Sequence, residues 1–136
     1  MRLNPYLRFN GQCADAFRFY ERVLDGTIDM MMRYGDSPMA DQVAPEGRDR
    51  IMHCSLSAGN MTLMGADGPP TDAISNGCAV MLGVDTPEEA ERVFAALSEG
   101  GSAQMPMQQT FWSKRFGMVT DRFGTPWMVN CEQAPS

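Results

Sequence analysis

An α+β fold built from one β-α-β-β-β unit used twice is what this sequence predicts, and three observations carry the prediction. Two segments with helical apolar spacing, 13–24 and 86–99, each follow a short strand-like run. Each is followed by further strand-like runs that end in a hairpin, one turning at Gly59-Asn60 and one at Asp121-Arg122-Phe123-Gly124. A Pro- and Gly-rich stretch, 67–77, separates the two sets as a linker.

Taken in order, 3–9 reads as a strand. From Cys13 to Leu24, Ala16, Phe17, Phe19, Tyr20, Val23 and Leu24 recur at helical spacing, with Arg18, Glu21 and Arg22 on the other side. Asp25-Gly26 ends that helix. The Met- and Ile-rich run 27–34 is a second strand, and the acidic, Pro-containing stretch 35–49 is a long loop. Ile51 to Ala58 and Met61 to Ala66 then pair as a hairpin.

The second set opens with a strand at 78–84. Thr86 at N-cap, Pro87 at N1 and Glu89 at N3 form a capping box, the strongest local signal in the chain. Ala90, Val93, Phe94 and Leu97 make the buried stripe of this helix, and Gly100-Gly101 terminates it. A short strand at 102–105, a connection at 106–112 and the hairpin from Arg115 to Cys131 complete the unit.

At 136 residues the chain is expected to be a single domain, 1–136, with module one at about 1–67 and module two at about 78–132. The net charge of −6 and pI near 4.6 exclude the clustered basic surface that nucleic acid or anionic membrane requires. No apolar run approaches the roughly 18 residues of a membrane span, and MRLNPYLRF lacks a signal peptide's apolar region, so a cytoplasmic location is expected. Cys13, Cys54, Cys78 and Cys131 are far apart and form no C-x-x-C pair. They read as buried reduced thiols, with a zinc site or a disulfide as the other reading. The 13 Met residues read as core filler or as the adaptable wall of an apolar cavity.

Strand alternation sorts candidate site residues by face. In 51–58, Met52, Cys54, Leu56 and Ala58 form the apolar set, and His53, Ser55 and Ser57 the polar set. In the last strand Trp127, Val129 and Cys131 oppose Met128 and Asn130. His53, the only histidine, is the candidate for proton transfer, against a plain structural hydrogen bond. Phe111 and Trp112 precede the final hairpin and suit either a pocket mouth or a dimer contact. Arg115 beside them could pair an anionic ligand or stay solvated. Asp67 reads as a turn residue.

The motifs N-P-Y-L-R-F-N-G, A-F-R-F-Y-E-R-V-L-D-G, I-M-H and F-W-S-K-R-F-G-M-V-T-D-R-F-G-T-P-W-M-V-N resemble the PhnB-like proteins of the vicinal oxygen chelate superfamily. Glyoxalase I, bleomycin resistance proteins and extradiol dioxygenases belong to the same superfamily. The resemblance covers nearly the whole chain. It implies eight strands curled into a cup-shaped mixed sheet, a homodimer, and, in metal-dependent relatives, His, Glu or Gln on the first and last strands of each module. Those positions fall here on Asn4, Pro5 or Tyr6, on Met64 or Gly65, on Cys78 or Ala79, and on Met128, none of which is a histidine or a carboxylate.

The expectation is therefore a small-molecule-binding protein of this superfamily without a bound metal or cofactor. Its ligand pocket is expected to use Met64, Phe111, Trp112, Arg115, Met128 and Asn130. The alternative is a metal-dependent lyase, isomerase or dioxygenase using His53 with Asp67 or Cys78. Relatives are often labelled methyltransferase-like, but no strand leads through a Gly-rich turn into a helix, as a nucleotide-like cofactor would need.

Overall fold

Each helix of this chain packs on one face of its own four-stranded sheet. The computed structural model describes residues 1–68 and 78–132, so most of the expected linker lies outside the described residues. Those residues run in the order β1 (Tyr6–Phe9), α1 (Cys13–Val23), β2 (Thr27–Arg33), β3 (Ile51–Ala58), β4 (Met61–Asp67), then β5 (Val80–Val84), α2 (Pro87–Ser98), β6 (Ser102–Gln108), β7 (Ser113–Thr120) and β8 (Pro126–Glu132). They fall into two compact units, one on each side of the undescribed stretch.

The two units share one topology. The first sheet has the order β1-β4-β3-β2 and the second β5-β8-β7-β6. In each, the strand before the helix lies parallel to the last strand of the unit, and the remaining pairs are antiparallel. The fold is α+β, with the β-α-β-β-β module repeated.

In the first unit α1 buries Cys13, Ala16, Phe17, Phe19, Tyr20 and Val23, and each large side chain among them contributes roughly 1.5–3 kcal/mol by leaving water. The Phe17 and Tyr20 rings meet at an interplanar angle of 70° with centroids 5.7 Å apart, the edge-on geometry that aromatic quadrupoles favour. The Gly26 amide donates to the Glu21 carbonyl at 2.9 Å, and Asp25 takes φ 52, so the helix stops in a left-handed turn at the expected Asp-Gly pair. On β3, Cys54, Leu56 and Ala58 are buried while His53, Ser55 and Ser57 are partly open. Ile51 is buried too and Met52 only partly so, a local departure next to the register shift at Met32/Arg33.

In the second unit the Thr86 hydroxyl accepts from the Glu89 amide at 3.1 Å, and Pro87 opens α2. Ala90, Val93 and Leu97 are buried. Phe94 is only half-buried, against the expected stripe.

Four further expectations are corrected. The first strand starts at Tyr6, and Leu3 is exposed. The connection expected at 106–112 is shorter, because β6 continues through Pro106 to Gln108; β6 is an edge strand, where a residue without an N–H costs no ladder bond. The loop 35–49 contains three short 3-10 turns, beginning at Tyr34, Ala40 and Pro45. Cys13, Cys54 and Cys131 are buried free thiols, but Cys78 is exposed. No described helix is long and apolar enough to cross a membrane.

Candidate functional site

Because side chains alternate along a strand, each sheet presents one face to its helix and leaves the other without helix cover. On the open face of the first sheet, register sets Tyr6 of β1 opposite Met64 of β4, and Met64 opposite Ser55 of β3. Ser55 in turn faces Met30, and His53 faces Met32, on β2. Across this row the Tyr6 hydroxyl lies 3.1 Å from His53 Nδ1. The two rings stack, with centroids 5.7 Å apart and 30° between their planes.

Partial burial, and behind it Cys13 and Tyr34, raises the Tyr6 hydroxyl above its ordinary pKa of 10.0, so the phenol keeps its proton and can donate to Nδ1 or accept from it. In the arrangement where the phenol donates, the neutral imidazole carries its proton on Nε2, where it can be offered to a ligand oxygen. The pair forms because the parallel alignment of β1 on β4 brings Tyr6 within reach of β3, 47 residues away in sequence. Sequence reading picked out His53 and weighed Tyr6 only as a position, and did not foresee the contact.

The open face of the second sheet carries Met128 between Met81 and Met118, with Met105 beyond. Asn130 faces Phe116, is 6 % exposed, and accepts a hydrogen bond from the Ser113 hydroxyl. The Phe111–Trp112 pair caps the tight turn before β7, held by the Thr110 hydroxyl, which accepts from the Trp112 and Ser113 amides at 3.3 and 3.0 Å. Its rings meet edge to face at 4.7 Å, and Trp112 meets Phe116 at 5.5 Å. Phe111 is 91 % exposed, whereas Phe116, unremarked in the sequence, is the buried member of the cluster.

Arg115 does not join this face. It lies two residues before Gly117, whose Cβ position meets Phe94 of α2, so alternation sets Arg115 on the helix side, where its guanidinium is paired with Glu91. The second unit's counterpart of Tyr6 is Met81, since both stand opposite the equivalent methionines, Met64 and Met128. Cys78 and Ala79 precede β5 altogether.

Asp67 is no turn residue either. It is 2 % exposed at the end of β4, and its carboxylate accepts from the Gly11, Cys13 and Ile51 amides at 2.8, 3.0 and 2.9 Å. Those bonds tie it to the start of α1 and of β3, on the face opposite His53. His53 and Asp67 therefore cannot share an ion. Among the described residues, no three His, Cys, Asp or Glu side chains gather as metal ligands. Neither Tyr6 with Met64 in the first unit nor Met81 with Met128 in the second offers the N, O or thiolate donor set that a hard or borderline divalent ion takes.

Residues 1–130 match the family described as 3-demethylubiquinone-9 3-methyltransferase. Protein YjdN of Escherichia coli K12 is 34% identical over 139 residues, covering 96% of this chain and 95% of that protein. Among solved structures, protein PA1353 from Pseudomonas aeruginosa is 48% identical with a TM-score of 0.89, covering 98% of this chain and 99% of that one. The PhnB protein from Bacillus cereus shares the fold at 23% identity and a TM-score of 0.80, covering 96% and 99%.

Proposed function

The chain belongs to the family described as 3-demethylubiquinone-9 3-methyltransferase, a PhnB-like group of the glyoxalase/bleomycin resistance/dioxygenase superfamily, and from that premise we propose that it binds a small, largely apolar or aromatic molecule carrying an oxygen acceptor. The observation that carries this reading is the open face of the first sheet, where Met64 lies beside the Tyr6–His53 pair. An apolar wall with one placed donor is the composition of small-molecule sites. The Nε2–H of His53 meets the ligand oxygen, and the flexible thioether of Met64 adapts to its body. Met128, Asn130 and the Phe111–Trp112 pair of the second unit offer the same kind of surface.

Methyl transfer, which the family's description names, has no part in the proposal. The turn from β1 into α1, Asn10-Gly11-Gln12, spends its Gly11 and Cys13 amides on Asp67. The α2 N-terminus carries Glu88 and Glu89 in its first turn, which oppose an anionic cofactor group. The four free thiols support the cytoplasmic location. A homodimer is part of the reading: the outer strands of each sheet, β1 and β2 or β5 and β6, offer backbone edges that a second copy can cover.

Native mass spectrometry of protein taken directly from cells tests ligand and assembly together. The expected result is a dimer with a co-purified small molecule, and a ligand screen that raises Tm in the wild type but less in His53→Ala, since binding to the folded state alone stabilises it. A monomer without ligand that no screened compound stabilises overturns the proposal. Stabilisation by Zn, Mn, Fe or Ni that disappears in His53→Ala promotes the metal-dependent enzyme instead.

A further inference from the structure

A single row crosses the second sheet from edge to edge on its open face: Met81 on β5, Met128 on β8, Met118 on β7 and Met105 on β6, each the register partner of the next. We propose that this row is a thioether site for a soft monovalent cation, Cu(I) or Ag(I), held within the second unit alone.

Strand interiors favour β-branched and aromatic residues, so four consecutive unbranched methionines at matched positions are not what propensity selects. Nor is the row simply core. Met81 is 56% exposed, and Met105, Met118 and Met128 are all partly open, while the other face of the same strands buries Leu82, Val119 and Val129. The equivalent row of the first sheet, Tyr6, Met64, Ser55 and Met30, interposes a phenol and a hydroxyl. The continuous thioether set therefore belongs to one unit and does not follow from the repeat.

Adjacent partners in a sheet stand about 4.5–5.5 Å apart at Cβ, and each methionine carries its sulfur at the end of a flexible stem, so two or three neighbours can turn their sulfurs onto one ion. Thioether sulfur is a soft, neutral donor that selects Cu(I) and leaves zinc, manganese and magnesium in water. The chain's net charge of −6 draws a cation toward the surface. The proposal shares Met128 with the ligand reading above, but that reading rests on the Tyr6–His53 pair of the other unit, which the row does not include.

The test uses full-length protein with Cys78→Ser, which removes the exposed thiol, and methionine labelled with 13C at the methyl group. Silver ion, which needs no reductant, is titrated while methyl spectra are recorded, and Cu(I) affinity is measured by competition with a chromophoric chelator. The expected result is one equivalent bound, shifts concentrated in the methyls of the row, no response to Zn(II), and affinity for both ions weakened by about tenfold or more in Met118→Leu/Met128→Leu. Leucine keeps the volume, so that variant should fold; if it does not, assigned methyl shifts in the parent protein decide. Shifts at methionines outside the row, unchanged affinity in the folded leucine variant, or binding present only while Cys78 is present would each overturn the proposal.

Discussion

The indole N–H of Trp127, at the start of β8, donates at 2.8 Å to the carboxylate of Asp121 in the β7–β8 turn, and both residues are buried. The other carboxylate oxygen accepts from the Phe123 and Thr125 amides at 2.9 and 3.0 Å. One side chain thus closes the β7–β8 turn and anchors the largest buried ring of the unit.

Asp121→Ala should accordingly destabilise the protein by about 2–4 kcal/mol, because it strands several buried donors at once. Urea unfolding followed by tryptophan fluorescence measures this. A loss under about 0.5 kcal/mol, the level of an ordinary surface substitution, would show that the carboxylate is dispensable.

At Gly65 of β4, an added Cβ would stand 2.7 Å from a Phe17 ring carbon and 2.8 Å from the Leu7 carbonyl oxygen. Neither the packed ring nor the backbone can yield cheaply, so Gly65→Ala should cost about 1–3 kcal/mol. Gly83→Ala is the matched control, since nothing lies within 4 Å of its Cβ position. Equal midpoints for the two variants would contradict the packing of α1 on β4.

Alkaline pH should weaken the fold through its buried thiols. Burial first and Glu21 second push Cys54 from its ordinary 9.0 up to about 11, and burial followed by Asp67 raises Cys13 as well. A folded pKa above the unfolded one means that this stability is fully present below pH 9 and is lost as pH rises toward the folded value. Unfolding free energy should therefore fall above pH 9 by about 1.4 kcal/mol per pH unit for each such thiol. Urea titrations under reducing conditions should show the smaller slope in Cys54→Ala. With a thiol reagent at neutral pH, Cys78 should react rapidly and the three buried cysteines only on unfolding; rapid labelling of Cys54 would refute its burial.

Since His53 is the only histidine, its ring nitrogens can be read without ambiguity. Two-bond 15N correlation spectra at a pH where the ring is neutral should show the Nε2–H tautomer in the wild type and a mixture in Tyr6→Phe. An Nδ1–H ring in the wild type would break the donor assignment on which the ligand reading depends.

The two helix starts show what could be read from sequence and what could not. Thr86 caps α2 by reaching an amide three residues away, so residue types at fixed local spacing revealed it. Gln12 gives α1 no side-chain cap; Asp67, 54 residues from Cys13, supplies the acceptor, and the equivalent place in the second unit, opposite Val84 as Asp67 is opposite Phe9, holds Cys131. Only the parallel return of β4 beside β1 puts that carboxylate there. Periodicity, turns and capping determined the α+β class, the order of elements and the repeat, because those signals act over a few residues. The Tyr6–His53 pair, the unbroken methionine row and the pairing of Arg115 with Glu91 were decided by strand register and by the packing of each helix on its sheet. Those depend on contacts between distant segments, which local spacing does not encode.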